Sequence, residues 1–266
     1  MPASLITLTT DFGQADHFVG AMKGVILGIA PRARIIDITH EISPYELGEA
    51  AFVIAQAWRY FPKGTIHVVV VDPGVGGARR PILAAAGGHY FVAPDNGVLT
   101  MIYDAAPARV REISNARLLG KNVSRTFHGR DVFAPAAAHL ARGVPAARFG
   151  KLIEDSTRFS PLKPTQRSRH VWSGSILKVD RFGNLITNLH IEEFPGVKTR
   201  PIELRIGLER VRRLALTYAE TEIGERFVIV GSSGYLEVAA NQASAAKTLG
   251  CGAGAPVELE IFYDRA

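Results

Sequence analysis

The sequence predicts an α/β domain with a mainly parallel open sheet, followed by a smaller all-β domain that is barrel-like. Three observations predict this fold class. Strand and helix patterns alternate in the first part of the chain. The segment Ile66–Val71 is a nearly continuous apolar run, which is typical of a parallel strand covered on both faces. Several short strand patterns then follow one another in the last part of the chain.

The first elements form a β-α-β-α-β unit. Apolar residues recur at helical spacing from Phe18 to Ile29, and a second helix is predicted from Glu46 to Tyr60, entered through Ser43 and Pro44. An Ala-rich helix is predicted later, at Pro135–Leu140. The predicted strands of the unit are Leu5–Leu8, Arg34–Ile38 and Ile66–Val71.

A boundary between two domains is predicted near Pro161 and Pro164, where polar residues surround both prolines. We therefore expect an α/β domain at residues 1–160, a linker at 161–171 and a β-barrel domain at 172–266. The predicted strands of the second domain are Gly174–Val179, Leu185–Leu189, Ile202–Ile206, Val211–Thr217, Phe227–Val230, Tyr235–Val238 and Val257–Phe262.

Composition favours a folded protein of the cytoplasm. The 266 residues are 47% apolar and 21% charged, and no apolar run is long enough to span a membrane. The N-terminal sequence does not match a secretory signal, and the single cysteine, Cys251, calls for no oxidising compartment. The net charge is +6, but the basic stretches lack interleaved aromatic residues, so we expect a solvated surface and no nucleic-acid partner.

Acidic residues follow two of the predicted parallel strands. Asp11 follows the first strand and Asp72 follows the third. Because ligands of open parallel sheets bind outside the carboxyl ends of the strands, both carboxylates are candidates for a binding site. The alternative is that each caps the helix or turn that follows it.

Two further clusters of the first domain could carry chemistry. Asp72 begins a glycine-rich segment that ends in Arg79 and Arg80, with spacing that matches neither a phosphate loop nor a dinucleotide fingerprint. His128 lies between Phe127 and Gly129, and its imidazole could exchange a proton near neutral pH. Each cluster also has a structural interpretation, as a glycine-rich connection with a solvated arginine pair and as a structural histidine.

Two polar turns are candidates in the second domain. The segment 180–184 places a carboxylate, an aromatic ring and an amide around one turn, and 231–237 is a small-residue turn that enters a strand. Both could equally be ordinary β-turns, since glycine and asparagine favour turns. We find no set of metal ligands, and we expect neither a metal nor a cofactor.

Taken together and in order, five motifs resemble those of the S-adenosylmethionine (SAM) hydroxide adenosyltransferases, which are relatives of fluorinase and chlorinase. The resemblance spans nearly the whole chain. It implies an α/β domain followed by a β-barrel, a homotrimer with active sites between subunits, and hydrolysis of SAM to adenosine and methionine. The motifs are Thr9-Thr-Asp-Phe-Gly13, Asp72-Pro-Gly-Val-Gly with Arg79, Thr126-Phe-His-Gly-Arg-Asp131, Asp180-Arg-Phe-Gly-Asn184 and Ser232-Ser-Gly-Tyr-Leu-Glu237.

The resemblance also implies a role for individual residues in binding the substrate. Asp11 would hold the ribose hydroxyls, and Tyr45 would lie near the ribose and sulfur. Asp180 and Ser232 would hold the methionine part, assisted by Glu237. The adenine would be contacted by Phe182 and Asn184 and by backbone groups of Ala240 and Gln242.

Asp72, Arg79 and His128 would prepare the attacking water. Halogenating relatives lack this combination and tend to carry an extra loop in the first domain, for which the segment between Arg80 and Asp95 leaves no room. Both observations favour water over halide, with Arg80 expected to matter less than Arg79.

Other functions stay open at this point. They are a halide-dependent SAM halogenase, a non-catalytic SAM- or adenosine-binding protein, and a metal-dependent nucleoside hydrolase that would use Asp11, Asp16 and Asp72.

Overall fold

The chain divides after Phe159 into two units, and the computed structural model describes residues 4–159 and 163–263. Part of the predicted linker, at residues 161 and 162, lies outside the described residues. No helix in the described ranges has the length and apolar character needed to cross a membrane.

The first unit is a seven-stranded sheet between two layers of helices. Its strands are β1 (Leu5–Thr10), β2 (Arg34–Thr39), β3 (Ile66–Val70), β4 (Pro81–Ala86), β5 (His89–Pro94), β6 (Ala108–Glu112) and β7 (Leu152–Ile153). Its helices are α1 (Phe18–Ile29), α2 (Leu47–Ala57), α3 (Thr100–Ala105) and α4 (Ala134–Ala141), the last preceded by a π-helical segment, Gly129–Phe133.

The sheet has the strand order β2-β1-β3-β5-β4-β6-β7, and it is partly parallel. The pairs among β2, β1, β3 and β5 are parallel, whereas β4, β6 and β7 add antiparallel pairs. The expectation of a mainly parallel sheet therefore holds for one half. The antiparallel half begins at Gly87 and Gly88, since both have positive φ angles and form a two-residue hairpin that reverses the chain between β4 and β5.

Apolar residues bury both faces of the central strands. On one face, Ile6 and Leu8 of β1 pack in a cluster with Met22 and Ile26 of α1 and with the Ala-rich α4. On the other face, Val69 of β3 packs in a cluster with α2 and α3. The helices thus leave the carboxyl ends of β1 and β3 as the place where polar side chains emerge.

The second unit is a curled sheet that forms a half-barrel around its own core. Its strands are β8 (Thr165–Ser168), β9 (Val171–Val179), β10 (Leu185–His190), β11 (Ile202–Ile206), β12 (Glu209–Val211), β13 (Leu214–Ala215), β14 (Arg226–Val230), β15 (Tyr235–Ala240) and β16 (Pro256–Ile261), with one short helix, α5 (Ala245–Leu249). The order is β12-β11-β16-β9-β10-β15-β14-β13, with β8 on β9, so pairing among the described residues does not close a ring.

Two segments of the second unit differ from the sequence-based expectation. The predicted linker contains β8, whose exposed polar residues give no hydrophobic pattern to detect. The predicted strand Val211–Thr217 is two short strands on opposite ends of the strand order, because Arg212 and Arg213 turn the chain between them. Arg212 donates to Glu203 Oε2 at 2.7 Å, and Arg213 donates to Glu225 at 2.8 Å.

Candidate active site

Side chains from four loops line a cavity of about 340 Å³ in the first unit. Four of the predicted site residues lie on its wall, namely Asp11, Tyr45, Asp72 and His128. Asp11 follows β1 and Asp72 follows β3 by one residue, so the cavity lies at the carboxyl ends of neighbouring parallel strands. The rest of the wall includes a cluster of aromatic rings, Phe12, Phe18 and Phe127, whose centroids are 5.0–6.0 Å apart.

Asp72, Arg79 and His128 form one hydrogen-bonded set. Arg79 Nε donates to Asp72 Oδ1 at 2.9 Å, and a second guanidinium nitrogen contacts Asp72 Oδ2. That same nitrogen lies 2.7 Å from His128 Nδ1. The side chains of Asp72 and Arg79 are only 5% and 9% exposed, so the ion pair lies largely out of water. The structure therefore brings the three predicted catalytic residues together.

The contact with Arg79 determines which nitrogen of His128 carries a proton. A guanidinium has only donors, so His128 Nδ1 accepts and the proton of the neutral ring lies on Nε2. Burial and the positive charge of Arg79 lower the pKa of His128, against the opposing effects of Asp72, Asp131 and the Ser124 carbonyl. His128 is therefore mainly a neutral imidazole at neutral pH, and its proton lies on Nε2.

A glycine allows the two loops of this set to pack together. Gly76 has a φ of 74°, and a Cβ there would overlap the backbone carbonyl of Arg125. The loop that follows Asp72 thus lies directly against the segment that precedes His128. Asp131, within the π-helical segment, holds the preceding residues by accepting from Ser124 N at 2.9 Å and from Arg130.

Arg80 pairs with two other aspartates. Its guanidinium donates to Asp95 Oδ2 at 2.6 and 3.0 Å and to Asp155 Oδ1 at 2.8 Å. Neither Arg80 nor these partners line the cavity. The two adjacent arginines are therefore each paired with an aspartate, one pair in the candidate site and one outside it.

Asp11 is joined to Tyr45 across the cavity mouth. Asp11 Oδ2 accepts from Tyr45 N at 3.0 Å, and burial, opposed by this hydrogen bond, raises the pKa of Asp11. Tyr45 is 71% exposed and has a φ of 70°, a conformation that is costly for a residue with a side chain. The aspartate thus holds a strained turn that presents an aromatic ring beside the cavity.

In the second unit, Asp180 organises the turn that carries Phe182 and Asn184. Its Oδ1 accepts from both backbone nitrogens at 2.8 Å, and its Oδ2 accepts from Asn184 Nδ2 at 2.8 Å. Gly183 has a φ of 88° and packs against Ser244 so closely that a Cβ would overlap it. The turn leaves the Phe182 ring 78% exposed and able to stack on a flat ligand.

Glu237 lies close to this turn and is largely buried. Burial and the charge of Asp180 raise the pKa of Glu237 to about 7. Burial, together with the charges of Glu237 and Asp180, raises the pKa of Tyr218. The Tyr218 hydroxyl lies 3.4 Å from Asn184 Nδ2. Asp180, Asn184, Tyr218 and Glu237 therefore form a polar cluster within the second unit, whereas Ser232 lies exposed in the neighbouring 231–234 turn.

Ala240, the last residue of β15, and Gln242, in the turn that follows, are the residues expected to offer backbone groups to the adenine. The Ala240 carbonyl accepts from Ala243 N at 3.3 Å, and the exposed Gln242 has a φ of 52°. Tyr45 and Gln242 are the two non-glycine residues with positive φ among those that the structure describes. Each unit thus has one strained residue at a predicted binding position.

Two kinds of residue were not predicted as site residues. Phe12 and Phe127 lie inside motifs but were given no role, and Phe18 gave only an apolar signal that could not be distinguished from core packing. Tyr218 lies outside every motif. As for metal ligands, no three His, Cys, Asp or Glu side chains of the described residues converge on one point, so Asp11, Asp16 and Asp72 do not form the cluster that a nucleoside hydrolase metal would need.

Comparison with known proteins identifies the family. The family models for the SAM hydroxide adenosyltransferase N-terminal and C-terminal domains match residues 6–150 and 174–258. The chain belongs to the SAM hydroxide adenosyltransferase family. It is therefore an enzyme of the group whose motifs it resembles.

Members of the family with curated names are similar over nearly their whole length. The "(R)-S-adenosyl-L-methionine hydrolase" of Salinispora tropica is 41% identical, over 94% of this chain and 95% of the relative. A "Fluorinase" of an Actinoplanes species is 32% identical, over 97% and 99%. A solved structure, an "uncharacterized conserved protein from Thermotoga maritima", superposes with a TM-score of 0.87 at 38% identity, covering 96% of this chain and 99% of that one.

Proposed function

We propose that this enzyme hydrolyses SAM to adenosine and L-methionine, by attack of water on ribose C5′. The observation that carries the proposal is the hydrogen-bonded set of Asp72, Arg79 and His128 beside Asp11 in one cavity. The hydrolase relatives, at 34–41% identity, support water as the nucleophile over halide.

The chemistry needs help with the nucleophile and none with the leaving group. The sulfur of SAM is a sulfonium cation, so the C5′–S electron pair leaves on a neutral thioether. Water supplies the new C5′–O bond and loses one proton, so each turnover releases adenosine, methionine and one H⁺. A positioned base contributes about 10²- to 10⁴-fold to such a step, and alignment of the water contributes further.

Asp72 is the member of the set that can take the proton. Arg79 stays protonated, and the Nδ1 lone pair of His128 is occupied by Arg79 while Nε2 already carries hydrogen. Asp72 accepts one contact from Arg79 on each oxygen, which leaves a second lone pair on each for a water molecule. We assign Asp72 as the base, Arg79 as the group that orients it, and His128 as a neutral donor that positions the water.

The remaining predicted residues would bind the substrate. Asp11 and Tyr45 would hold the ribose near the cavity, and the second-unit cluster would recognise adenine and the methionine group. Because each unit contributes only part of this set, we propose the homotrimer implied by the resemblance, in which two subunits complete each site. Static light scattering of the purified chain tests the trimer. We also propose a cytoplasmic location and no cofactor.

The names of four relatives specify one sulfonium epimer. A sulfonium sulfur with three different substituents is a stereocentre, so the (R) and (S) forms of SAM differ in where the methyl group points. We propose that the (R) form is the substrate here too.

The test is incubation of purified protein with separated (R)- and (S)-SAM, followed by chromatography. The proposal predicts adenosine and methionine from the (R) form, with no dependence on chelator. Chlorinated adenosine on addition of chloride would make the protein a halogenase, and tight binding without turnover would make it a binding protein.

A further inference from the structure

A buried histidine outside the cavity wall is linked to the loop that carries Asp11. His40 follows β2, is 1% exposed and does not line the cavity. Its Nδ1 lies 2.8 Å from Thr10 Oγ1, at the end of β1. On its other side, Nε2 lies 3.1 Å from Asp37 Oδ1, and Asp37 Oδ2 accepts from Lys23 Nζ at 2.5 Å.

The chemistry of these groups determines which of them donate hydrogen bonds and which accept them. Asp37 is a carboxylate paired with Lys23; burial alone would raise its pKa, but the hydrogen bond from Lys23 and the nearby His40 ring hold it below the ordinary value. Asp37 Oδ1, 3.1 Å away, favours a proton on His40 Nε2, although this contact lacks the geometry of a hydrogen bond. A ring that carries its single proton on Nε2 accepts at Nδ1, so the Thr10 hydroxyl donates to it.

This arrangement directs the lone pairs of Thr10 toward the Asp11 loop. Thr10 Oγ1 accepts from Phe12 N at 3.2 Å, and the His40 carbonyl accepts from Gly13 N at 2.8 Å. The side chain and the main chain of His40 therefore hold residues on both sides of Asp11. Gly13 has a φ of 65°, which a glycine adopts without strain.

The position of His40 depends on an irregularity in the strand pairing. Leu8 pairs with Asp37 and Thr9 with Thr39, so Ile38 is an extra residue on β2. Such a bulge redirects the side chains that follow it, and bulges are common beside active sites. Without it, His40 would fall on the other face of the sheet from the one it occupies.

We propose that His40 is a positioning residue of the hydrolysis, acting through Thr10 on the loop that places Asp11 against the ribose. This inference rests on the proposed function. The ribose carries C5′, so a displaced Asp11 moves the reacting carbon relative to the water held by Asp72. Misplacement by about 1 Å can cost about 10²-fold in rate, so the effect falls on kcat as well as on KM.

Three single variants separate the hydrogen bond from simple packing. His40→Gln removes the acceptor that faces Thr10, and Thr10→Val removes the hydroxyl. His40→Asn places an amide oxygen close to the position of Nδ1 and keeps the acceptor. The chain offers a matched control: His67 is also fully buried, and its Nδ1 also lies 2.8 Å from a β1 threonine, Thr7, at the far end of the strand.

The experiment measures kcat and KM for adenosine release at a temperature where circular dichroism shows each variant folded. We expect His40→Gln and Thr10→Val to lower kcat by about 10- to 100-fold. His40→Asn should stay within about fivefold of wild type, since it keeps the hydrogen bond. His67→Gln should lose stability but not kcat. Combined with Asp11→Ala, His40→Gln should cause no further loss, because both changes remove the same interaction.

The outcomes distinguish this inference from the proposed function. Wild-type protein that releases no adenosine from either epimer contradicts the proposed function itself. An active wild type whose His40→Gln and Thr10→Val variants keep its kcat, or whose losses multiply with that of Asp11→Ala, overturns the positioning role. If His40→Gln does not fold, Thr10→Val alone decides the question by the same criterion.

Discussion

Replacing Asp72 with asparagine removes the proposed base while keeping the shape of the side chain. Loss of a general base costs about 10²- to 10⁴-fold in kcat, which corresponds to about 2.7–5.4 kcal/mol of activation free energy. The variant also leaves the guanidinium of Arg79, 9% exposed, without its counter-charge. Breaking a buried ion pair on one side costs about 3–5 kcal/mol of stability. The amide oxygen and the Phe133 ring, whose centroid lies 5.4 Å from the guanidinium carbon, should keep the cost near the lower value.

Asp95→Asn is the matched control for this variant. Asp95 is 2% exposed at its side chain and accepts from Arg80, the neighbour of Arg79, so the substitution breaks a comparable pair outside the cavity. We expect Asp95→Asn to lower the melting temperature but to keep kcat. Adenosine release at saturating substrate, below both melting temperatures, measures the difference. An Asp72→Asn enzyme within tenfold of wild type, or an equal fall in Asp95→Asn, would refute the assignment of Asp72 as base.

Three further predictions follow from named contacts. Burial and Arg79 lower the pKa of His128, so kcat/KM should be flat near neutral pH and fall with an acid inflection below pH 6.5. In His128→Asn the amide oxygen still accepts from Arg79, and the pH–rate profile should lack that inflection. Burial lowers the pKa of His67 to about 3, so as the pH falls the unfolded chain takes up a proton before the folded protein does. The free energy of unfolding should therefore fall by about 1.4 kcal/mol per pH unit between pH 6.5 and 3. Denaturant titrations in which His67→Gln shows the same dependence of unfolding free energy on pH would contradict this. Gly76→Ala should lower both melting temperature and kcat, because its Cβ separates the Asp72 loop from Arg125; a fall in neither would exclude the proposed packing.

The fold was predictable where one periodicity dominated. The apolar pattern placed β1, α1 and β3 within two residues of their observed ends. It failed where pairing depends on backbone geometry, as at the Gly87–Gly88 hairpin, and where charged side chains set the path, as at Arg212 and Arg213. An exposed polar strand such as β8 has no hydrophobic pattern in its sequence, because pairing with β9 and not burial of its own side chains fixes its conformation.

The candidate site was predictable as residue types and not as geometry. Motif order singled out Asp72, Arg79 and His128, but only coordinates show that one guanidinium nitrogen of Arg79 contacts both partners. Spacing alone favoured Arg79 over Arg80, whereas the structure gives each arginine its own aspartate. The role of His40 could not be predicted from the sequence, since it depends on a bulge and on a threonine thirty positions away.

Turnover in H₂¹⁸O shows whether water is the group that attacks C5′ of the substrate. We expect mass spectrometry to find one ¹⁸O in the 5′-hydroxyl of adenosine and none in methionine, with one proton released per turnover. Adenosine without the label, or any product other than adenosine carrying the new bond at C5′, would contradict it.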